Sequence, residues 1–394
     1  MGRGRILLVL GVFLLVLAGA LWWWLTRAPV QGPLKLTRVN FSDLPGWSAG
    51  DPKHAFIAFQ RSCAMLTAQA DETKVGGYGG TVADWREVCA ASTKSDANAA
   101  RDFFEQWFAP LLVSAGDAKD GLFTGYYEPQ LNASIARHGP YRTPVYGRPN
   151  DLVEVDLGQF REALKGERIA GRVEHHRLVP YADRAEIDAK GLKTARVLFY
   201  ADDPVAVFFL HIQGSGRVAF DDGSKARAAY DGQNGHPYTA IGRTLITEGQ
   251  LTKDKVSLQT IRAWLIAHPD DAGRVMETDA SYVFFKLVPI GDPNLGAVGA
   301  QGVALTPGAS IAVDTKLHPL GVPFFVTTTS PTTHQALNRL TVAQDTGGAI
   351  KGAVRADLFF GFGPDAETMA GLMKQTGRMY VLLPRALARR IKAL

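Results

Sequence analysis

The stretch Ala343-Gln344-Asp345-Thr346-Gly347-Gly348 (AQDTGG) decides how this chain is read, because Asp345-Thr346-Gly347 is the tripeptide with which aspartic proteases hold a catalytic carboxylate. A pepsin-type enzyme needs two such turns, since two carboxylates must share one proton. Only one is present. Asp314-Thr315-Lys316 lacks the glycine, and Asp345 follows the polar Gln344 where proteases carry an apolar residue. A dimer of the retroviral kind would supply a second turn, but such chains are far shorter than these 394 residues. Asp345 therefore belongs to another kind of acidic site.

Two further aspartates stand near it in the C-terminal third. Asp314 closes the strand-like Ser310-Ile311-Ala312-Val313, Asp345 closes Leu340-Thr341-Val342-Ala343-Gln344, and Asp357 lies within Arg355-Ala356-Asp357-Leu358-Phe359-Phe360-Gly361. One aspartate at a strand end usually just caps a turn. Three of them among Gly347, Gly348, Gly352, Gly361 and Gly363 point to a place where backbone approaches a ligand closely. Phe359 and Phe360 follow Asp357. Apolar surroundings and neighbouring carboxylates both raise an aspartate pKa, as a general acid at neutral pH requires.

The flanking pattern reads as mainly β with peripheral helices, the strands closing into barrels. Short apolar or alternating runs separated by Gly, Pro and Asp predict strands at 195–200, 205–212, 310–314, 323–328, 339–345 and 378–383. Helices are expected over Ala55–Leu66, ahead of Trp85, Val88 and Cys89, and along the Phe103, Phe104, Trp107, Phe108 face. Others are expected at 239–248, at 257–267 behind a Ser257 cap, and at 364–376 with Gly377 as the stop. No internal repeat is evident.

Several chemistries fall away. Gly214-Ser215-Gly216-Arg217-Val218-Ala219 fits the G-x-G-x-x-A dinucleotide pattern, but that pattern needs a helix to begin at the glycines. Phe220-Asp221-Asp222-Gly223 makes a turn almost at once, so a hairpin fits better than a nucleotide site. His211, His236 and His318 stand alone, without the paired spacing of a zinc centre, and no metal or cofactor is expected. The net charge of +5 is compatible with an anionic polymer, a membrane surface or a solvated face, and no basic run is dense enough for nucleic acid.

Residues 1–27 point to export. Arg3 and Arg5 precede an apolar run from Ile6 to Leu25 that ends in Trp22-Trp23-Trp24 and Arg27. About 20 apolar residues can just cross a bilayer, and tryptophan suits its interface. An uncleaved anchor is the expectation; the other reading is a signal peptide cleaved near Ala20, after Ala18-Gly19-Ala20. Residues 28–50, rich in Pro and Gly, read as a linker. Cys63 and Cys89 are the only cysteines, and export favours a bridge between them over two buried thiols.

The motifs together resemble the membrane-bound lytic murein transglycosylase A family. Asp345-Thr346-Gly347-Gly348-Ala349-Ile350-Lys351-Gly352, Arg355-Ala356-Asp357 and Gly361-Phe362-Gly363-Pro364 look like its C-terminal signature. Upstream, Gly121-Leu122-Phe123-Thr124-Gly125-Tyr126-Tyr127-Glu128-Pro129 and Gln213-Gly214-Ser215-Gly216 resemble two more motifs. Asn234-Gly235-His236-Pro237-Tyr238 with Ile241-Gly242, and Ser281-Tyr282-Val283-Phe284-Phe285, resemble another two. They occur in family order over roughly residues 40 to 385.

The resemblance implies a double-psi β-barrel built from residues 51–129 with 289–394, and a smaller β-rich domain, 130–288, inserted so that a groove separates the two. It implies cleavage of peptidoglycan glycan strands between N-acetylmuramic acid and N-acetylglucosamine, leaving a 1,6-anhydro end. Asp357 would be the single acid and then base, supported by Asp345 and Asp314. Thr124, Tyr126, Gln213, Gly214, Ser215, Gly347, Gly348 and Lys351 are the expected groove residues, since hydroxyls and amides suit sugars and tyrosine stacks on a sugar face. Familiar members are tethered to the outer membrane through a lipidated cysteine, and no cysteine lies near the apolar segment here. That implies a periplasmic enzyme on the inner membrane, with cell-wall synthesis or division proteins as further partners. A hydrolytic glycosidase and a non-catalytic wall-binding scaffold are the competing readings.

Overall fold

The computed structural model describes residues 32–165 and 167–391; the expected N-terminal anchor and the Ala20 cleavage point lie outside them. Among the described residues no helix is long and apolar enough to cross a membrane.

One sheet draws on both ends of the chain. Its N-terminal strands are β1 (Leu34–Arg38), β2 (Phe108–Ala115) and β3 (Gly121–Glu128). Its C-terminal strands are β13 (Ser310–Val313), β14 (Pro323–Thr329), β15 (Ala336–Asp345), β16 (Arg355–Phe362) and β17 (Lys374–Pro384). The order is β1-β2-β17-β14-β15-β13-β16-β3, and β3 also pairs with β17, so six strands close into a ring. The first half of β17 takes β3 and its last five residues take β2, which its 11-residue length allows.

The middle of the chain forms a second sheet, β12-β11-β10-β4-β9-β5. It comprises β4 (Gln130–Ser134), β5 (Thr143–Tyr146), β9 (Val197–Ala201), β10 (Gly216–Phe220), β11 (Lys225–Gln233) and β12 (Val283–Val288). A bridge from Gly147 to Phe285 links its two edges. A three-stranded sheet, β6 (Val153–Asp156), β7 (Arg168–Glu174) and β8 (Arg177–Pro180), stands apart.

β-Branched and aromatic residues fill the first ring: Ile311, Val313, Phe324, Phe325, Val326, Val342 and Val381 are all fully or nearly fully buried. The helix Lys53–Thr67 lays Phe56, Phe59, Cys63 and Leu66 on this core. Phe56, Phe59, Trp85, Phe103, Phe104 and Phe108 form one aromatic cluster there. Cys63 and Cys89 are disulfide-bonded, tying that helix to Ala83–Ser92.

Three expectations change. Residues 205–212 are not a strand but most of a helix, Pro204–Gln213. The Asp203 carboxylate caps it by accepting the Val205 N–H, Pro204 occupies its first turn, and Gly214 ends it at φ +78°. The helix is apolar enough to pack on two sides, so no periodicity marks it as helix or strand. Residues 28–50 are not all linker, because Leu34–Arg38 pairs antiparallel with β2 and buries Leu36. The helix beginning at Pro364 stops at Leu372, and Gly377, expected as its stop, lies inside β17. There Gly377 passes so close to the Thr327 carbonyl that a Cβ would stand 2.4 Å from it.

Candidate active site

The site is built around β3. That strand lies parallel to β16, with Thr124 opposite Asp357 and Tyr126 opposite Phe359. Alternate residues of a strand share a face, so Thr124 and Tyr126 point the same way. Each holds one carboxylate. The Thr124 hydroxyl donates to Asp357 Oδ1 at 2.5 Å, and the Tyr126 hydroxyl donates to Asp345 Oδ2 at 3.0 Å. Tyr126 also packs on Phe359, with ring centroids 5.1 Å apart.

Arg355, two residues before Asp357, donates through Nη2 to the Thr124 hydroxyl oxygen at 2.8 Å. This leaves the threonine proton for Asp357, so Arg355, Thr124 and Asp357 form a directed chain. Burial pushes the Asp357 carboxyl above its ordinary value, against the opposing Arg355 charge and the Thr124 hydrogen bond. Burial also raises Asp345, opposed by hydrogen bonds from Ala300, Thr346 and Tyr126 and reinforced by the Asp357 charge. Desolvation and both carboxylates raise the Tyr126 phenol, which therefore stays a proton donor.

The three aspartates differ in what remains free. Asp345 accepts the Ala300 N–H on Oδ1 and Tyr126 on Oδ2. Asp314 accepts the Lys316 N–H on Oδ1 and the Gly352 N–H on Oδ2, and is 5% exposed. Asp357 is held through Oδ1 alone; Oδ2 makes no hydrogen bond within the described residues.

Supporting contacts lock these loops from behind. Gln344 Nε2 donates to the Ala58 carbonyl and to Ser62, while Gln344 Oε1 accepts from Ser310. His318 Nε2 donates to the Ala353 carbonyl at 2.7 Å, and His318 Nδ1 accepts from Tyr78. Burial pushes the His318 imidazole down to about 4, so it is neutral at pH 7.

Asp345 and Asp357 open onto a cavity of about 360 Å³ between the two main sheets. Thr124, Tyr126, Gln213, Gly214, Gly347 and Gly348 line it, six of the eight groove residues expected from sequence. Gln213 is fixed by accepting the Tyr127 N–H on Oε1. Ser215 and Lys351 lie off the cavity, and so does Asp314. The opposite wall is formed by Tyr230, Gln233, Tyr238 and Ser281 over a buried cluster of Arg184, His211 and Asp279. Arg184 there donates to the Asp279 and Ser281 carbonyls and to His211 Nδ1. Among the described residues no group of three or more His, Cys, Asp or Glu is placed to hold a metal.

The sequence matches the MltA specific insert domain over residues 122–286 and the 3D domain over 309–383. A crystal structure of a membrane-bound lytic murein transglycosylase from Agrobacterium tumefaciens is 32% identical with TM-score 0.78, covering 90% of this chain and 99% of that one. Membrane-bound lytic murein transglycosylase A of Vibrio cholerae is 33% identical over 282 residues, 68% of this chain and 67% of the relative. The chain belongs to the membrane-bound lytic murein transglycosylase A family. It spans 65% of the length of the Escherichia coli relative, to which it is 33% identical over 66% of its own length. Escherichia coli MltA with bound chitohexaose is a further structural neighbour, 26% identical with TM-score 0.65, covering 89% of this chain and 94% of that one.

The resemblance pointed to this lytic murein transglycosylase A family from motifs alone, but some cavity residues carry no signal of their own. Arg355 lies inside a quoted motif, yet only the β3–β16 register reveals that it reaches Thr124. Tyr230 and Gln233 lie on β11 outside every motif. Arg184 sits 95 residues from Asp279, too far for any local pattern to connect them.

Proposed function

We propose that this protein is a peptidoglycan lytic transglycosylase in which Asp357 acts alone, first as acid and then as base. The observation that carries this reading is the unequal engagement of the three aspartates. Ordinary glycosidases need two working carboxylates, one for the leaving group and one for water or for the sugar. Asp345 and Asp314 have both oxygens occupied by fixed donors. Only Asp357 has an oxygen to offer, and burial shifts it toward the protonated form that a general acid needs. This arrangement disfavours a hydrolase with Asp345 or Asp314 as the water-activating base.

Protonated Asp357 gives its proton to the glycosidic oxygen between N-acetylmuramic acid and N-acetylglucosamine. The C1–O bond breaks, the leaving sugar departs with a new hydroxyl, and oxocarbenium character develops at muramic C1. The Asp357 carboxylate then takes the proton of the muramic C6 hydroxyl, whose oxygen closes on C1 as a 1,6-anhydro ring. The acid is regenerated, and no water is consumed. The Thr124 hydrogen bond and the Arg355 charge stabilise the carboxylate between the two steps. Thr124, Tyr126, Gln213, Gly214, Gly347 and Gly348 form the barrel-side wall for the sugars, and Ser215 and Lys351 lie outside it.

The six-stranded ring is a double-psi β-barrel in this reading, made from residues 51–129 with 289–394, and residues 130–288 form the inserted second wall. The enzyme works in the periplasm on peptidoglycan strands, held at the inner membrane by the apolar N-terminal segment or released after cleavage near Ala20. That relatives bear the name membrane-bound and that the Escherichia coli protein was crystallised with chitohexaose supports the setting and the substrate class.

The test is digestion of purified sacculi by wild type and Asp357→Asn, with products weighed by mass spectrometry. Anhydro-ended products are one water lighter than reducing-ended ones. Wild type is expected to yield only the lighter set, and the variant to bind sacculi but lose turnover by about 10²–10⁴-fold. Reducing ends alone would mean a hydrolase; unchanged activity of the variant would remove Asp357 from the chemistry.

A further inference from the structure

We propose that Glu167, Lys316 and Lys351 form an ionic clasp that closes one side of the cleft and governs whether the interior of a glycan strand can be laid into it. The proposal rests on the functional reading above and names a specificity device for the same site.

Glu167 belongs to the turn that enters β7, in the three-stranded sheet of the insert, and its carboxylate accepts from Lys316 Nζ across 149 residues of sequence. Lys316 belongs to the other wall. Its backbone N–H is held by Asp314, and the second oxygen of Asp314 holds Gly352. The clasp is thereby fixed to the loop whose Gly347, Gly348, Ala349 and Ile350 line the cavity. Lys351, next in that loop, is exposed and off the cavity; its charge acts on Glu167 instead.

On the insert side the neighbours of Glu167 lead back to the cavity. Arg168, the neighbour of Glu167, and Glu154 of β6 both act electrostatically on Tyr230, and Tyr230 lines the opposite wall. The sheet is secured to the insert by Ala170, which lies against Gly235, and by Arg172 over the Tyr181 ring. A tie from this sheet to Lys316 therefore joins the two walls beside the space between Tyr230 and Ile350. A polymer running through that side has to part the tie.

The tie is suited to parting. Both partners are about half exposed, with side-chain accessibilities of 48% and 52%. Exposed pairs of this kind contribute little to stability and are screened by salt. Lys351, whose charge also acts on Glu167, keeps a second cation near when Lys316 swings away. With the clasp shut, a strand enters from its end; with it open, an internal stretch can settle between the walls.

The experiment uses the full chain with Glu167→Lys, with Lys316→Glu/Lys351→Glu, and with all three substitutions together. Each acts on purified glycan strands of defined length, and product lengths are read by mass spectrometry. Glu167→Lys is expected to raise the share of fragments from strand interiors severalfold over wild type. Added salt should move wild type in the same direction, and the triple charge swap should restore the wild-type distribution. Hydrogen exchange in Arg168–Glu174 gives a readout independent of turnover, expected to quicken in Glu167→Lys and recover in the triple variant. An unaltered product distribution in Glu167→Lys, or a triple variant that fails to restore it, overturns the clasp. If no variant and no wild type yields anhydro-ended product, the functional reading fails. The clasp is then judged by exchange alone, and equal exchange in wild type and Glu167→Lys overturns it.

Discussion

Thr124 and Asp357 are 233 residues apart in sequence, yet they face each other in register on parallel strands and share a 2.5 Å hydrogen bond. Thr124 donates and Asp357 accepts, so the bond favours the carboxylate over the acid. Replacing Thr124 by valine removes it with little change of shape. The Asp357 pKa then rises further, and the alkaline limb of the pH–activity profile moves to higher pH. The check is kcat/KM on sacculi across pH 5 to 9; an unmoved limb would show that another group sets it.

A second prediction concerns stability. Burial raises Asp357 and Asp345, so the folded protein holds protons that the unfolded chain has released. Wherever the folded state binds more protons, stability falls as pH rises. That loss begins near the unfolded carboxylate value of about 3.9 and is complete once pH passes the raised folded value. Asp357→Asn should therefore melt higher than wild type at pH 7, with the difference disappearing below about pH 4. Thermal unfolding at both pH values decides it.

The His318 prop makes the opposite trend. Burial depresses this imidazole to about 4, while an unfolded histidine titrates near 6.5. The unfolded chain takes the proton first, so this contribution to stability is present above about 6.5 and is lost as pH falls toward about 4. His318→Asn should be less stable than wild type at pH 7, because the Ala353 carbonyl and the Tyr78 hydroxyl lose their partner. It should also lose less stability between pH 7 and 5. Urea midpoints at those two pH values measure the difference.

Gln344 supplies a fourth test. Its amide satisfies the Ala58 carbonyl and Ser62 and accepts from Ser310, all in a fully buried setting. Gln344→Leu keeps the volume but strands those groups, at about 1–3 kcal/mol for each one left unpaired. Expected is a loss of about 3 kcal/mol by urea denaturation, with reduced turnover because Asp345 is the next residue. An unchanged midpoint would mean that water replaces the amide.

The sequence makes the aspartates legible because glycines and strand ends cluster around them within a short window. The polar residue before Asp345, which argues against a protease, has its physical reason in the Gln344 network. Pro204–Gln213 is less legible: its apolar residues face two clusters at once, which erases the period that separates helix from strand. The start signals Asp203 and Pro204 are present and outweigh the apolar run. The opposite wall is largely illegible, since Tyr230, Gln233 and Arg184 become neighbours of the aspartates only through long-range pairing. Asp314 is placed in the site by sequence but behind it by structure, because its two oxygens face backbone N–H groups rather than the cavity.

The ring closes only when β17, Lys374–Pro384, arrives. β3, which carries Thr124 and Tyr126, is made early but has β16 and β17 as its only strand partners among the described residues. A chain that stops before β16 therefore cannot assemble Thr124 with Asp357. The candidate site stays incomplete until the last strand of the ring is in place. Truncation anywhere before β17 leaves the ring open.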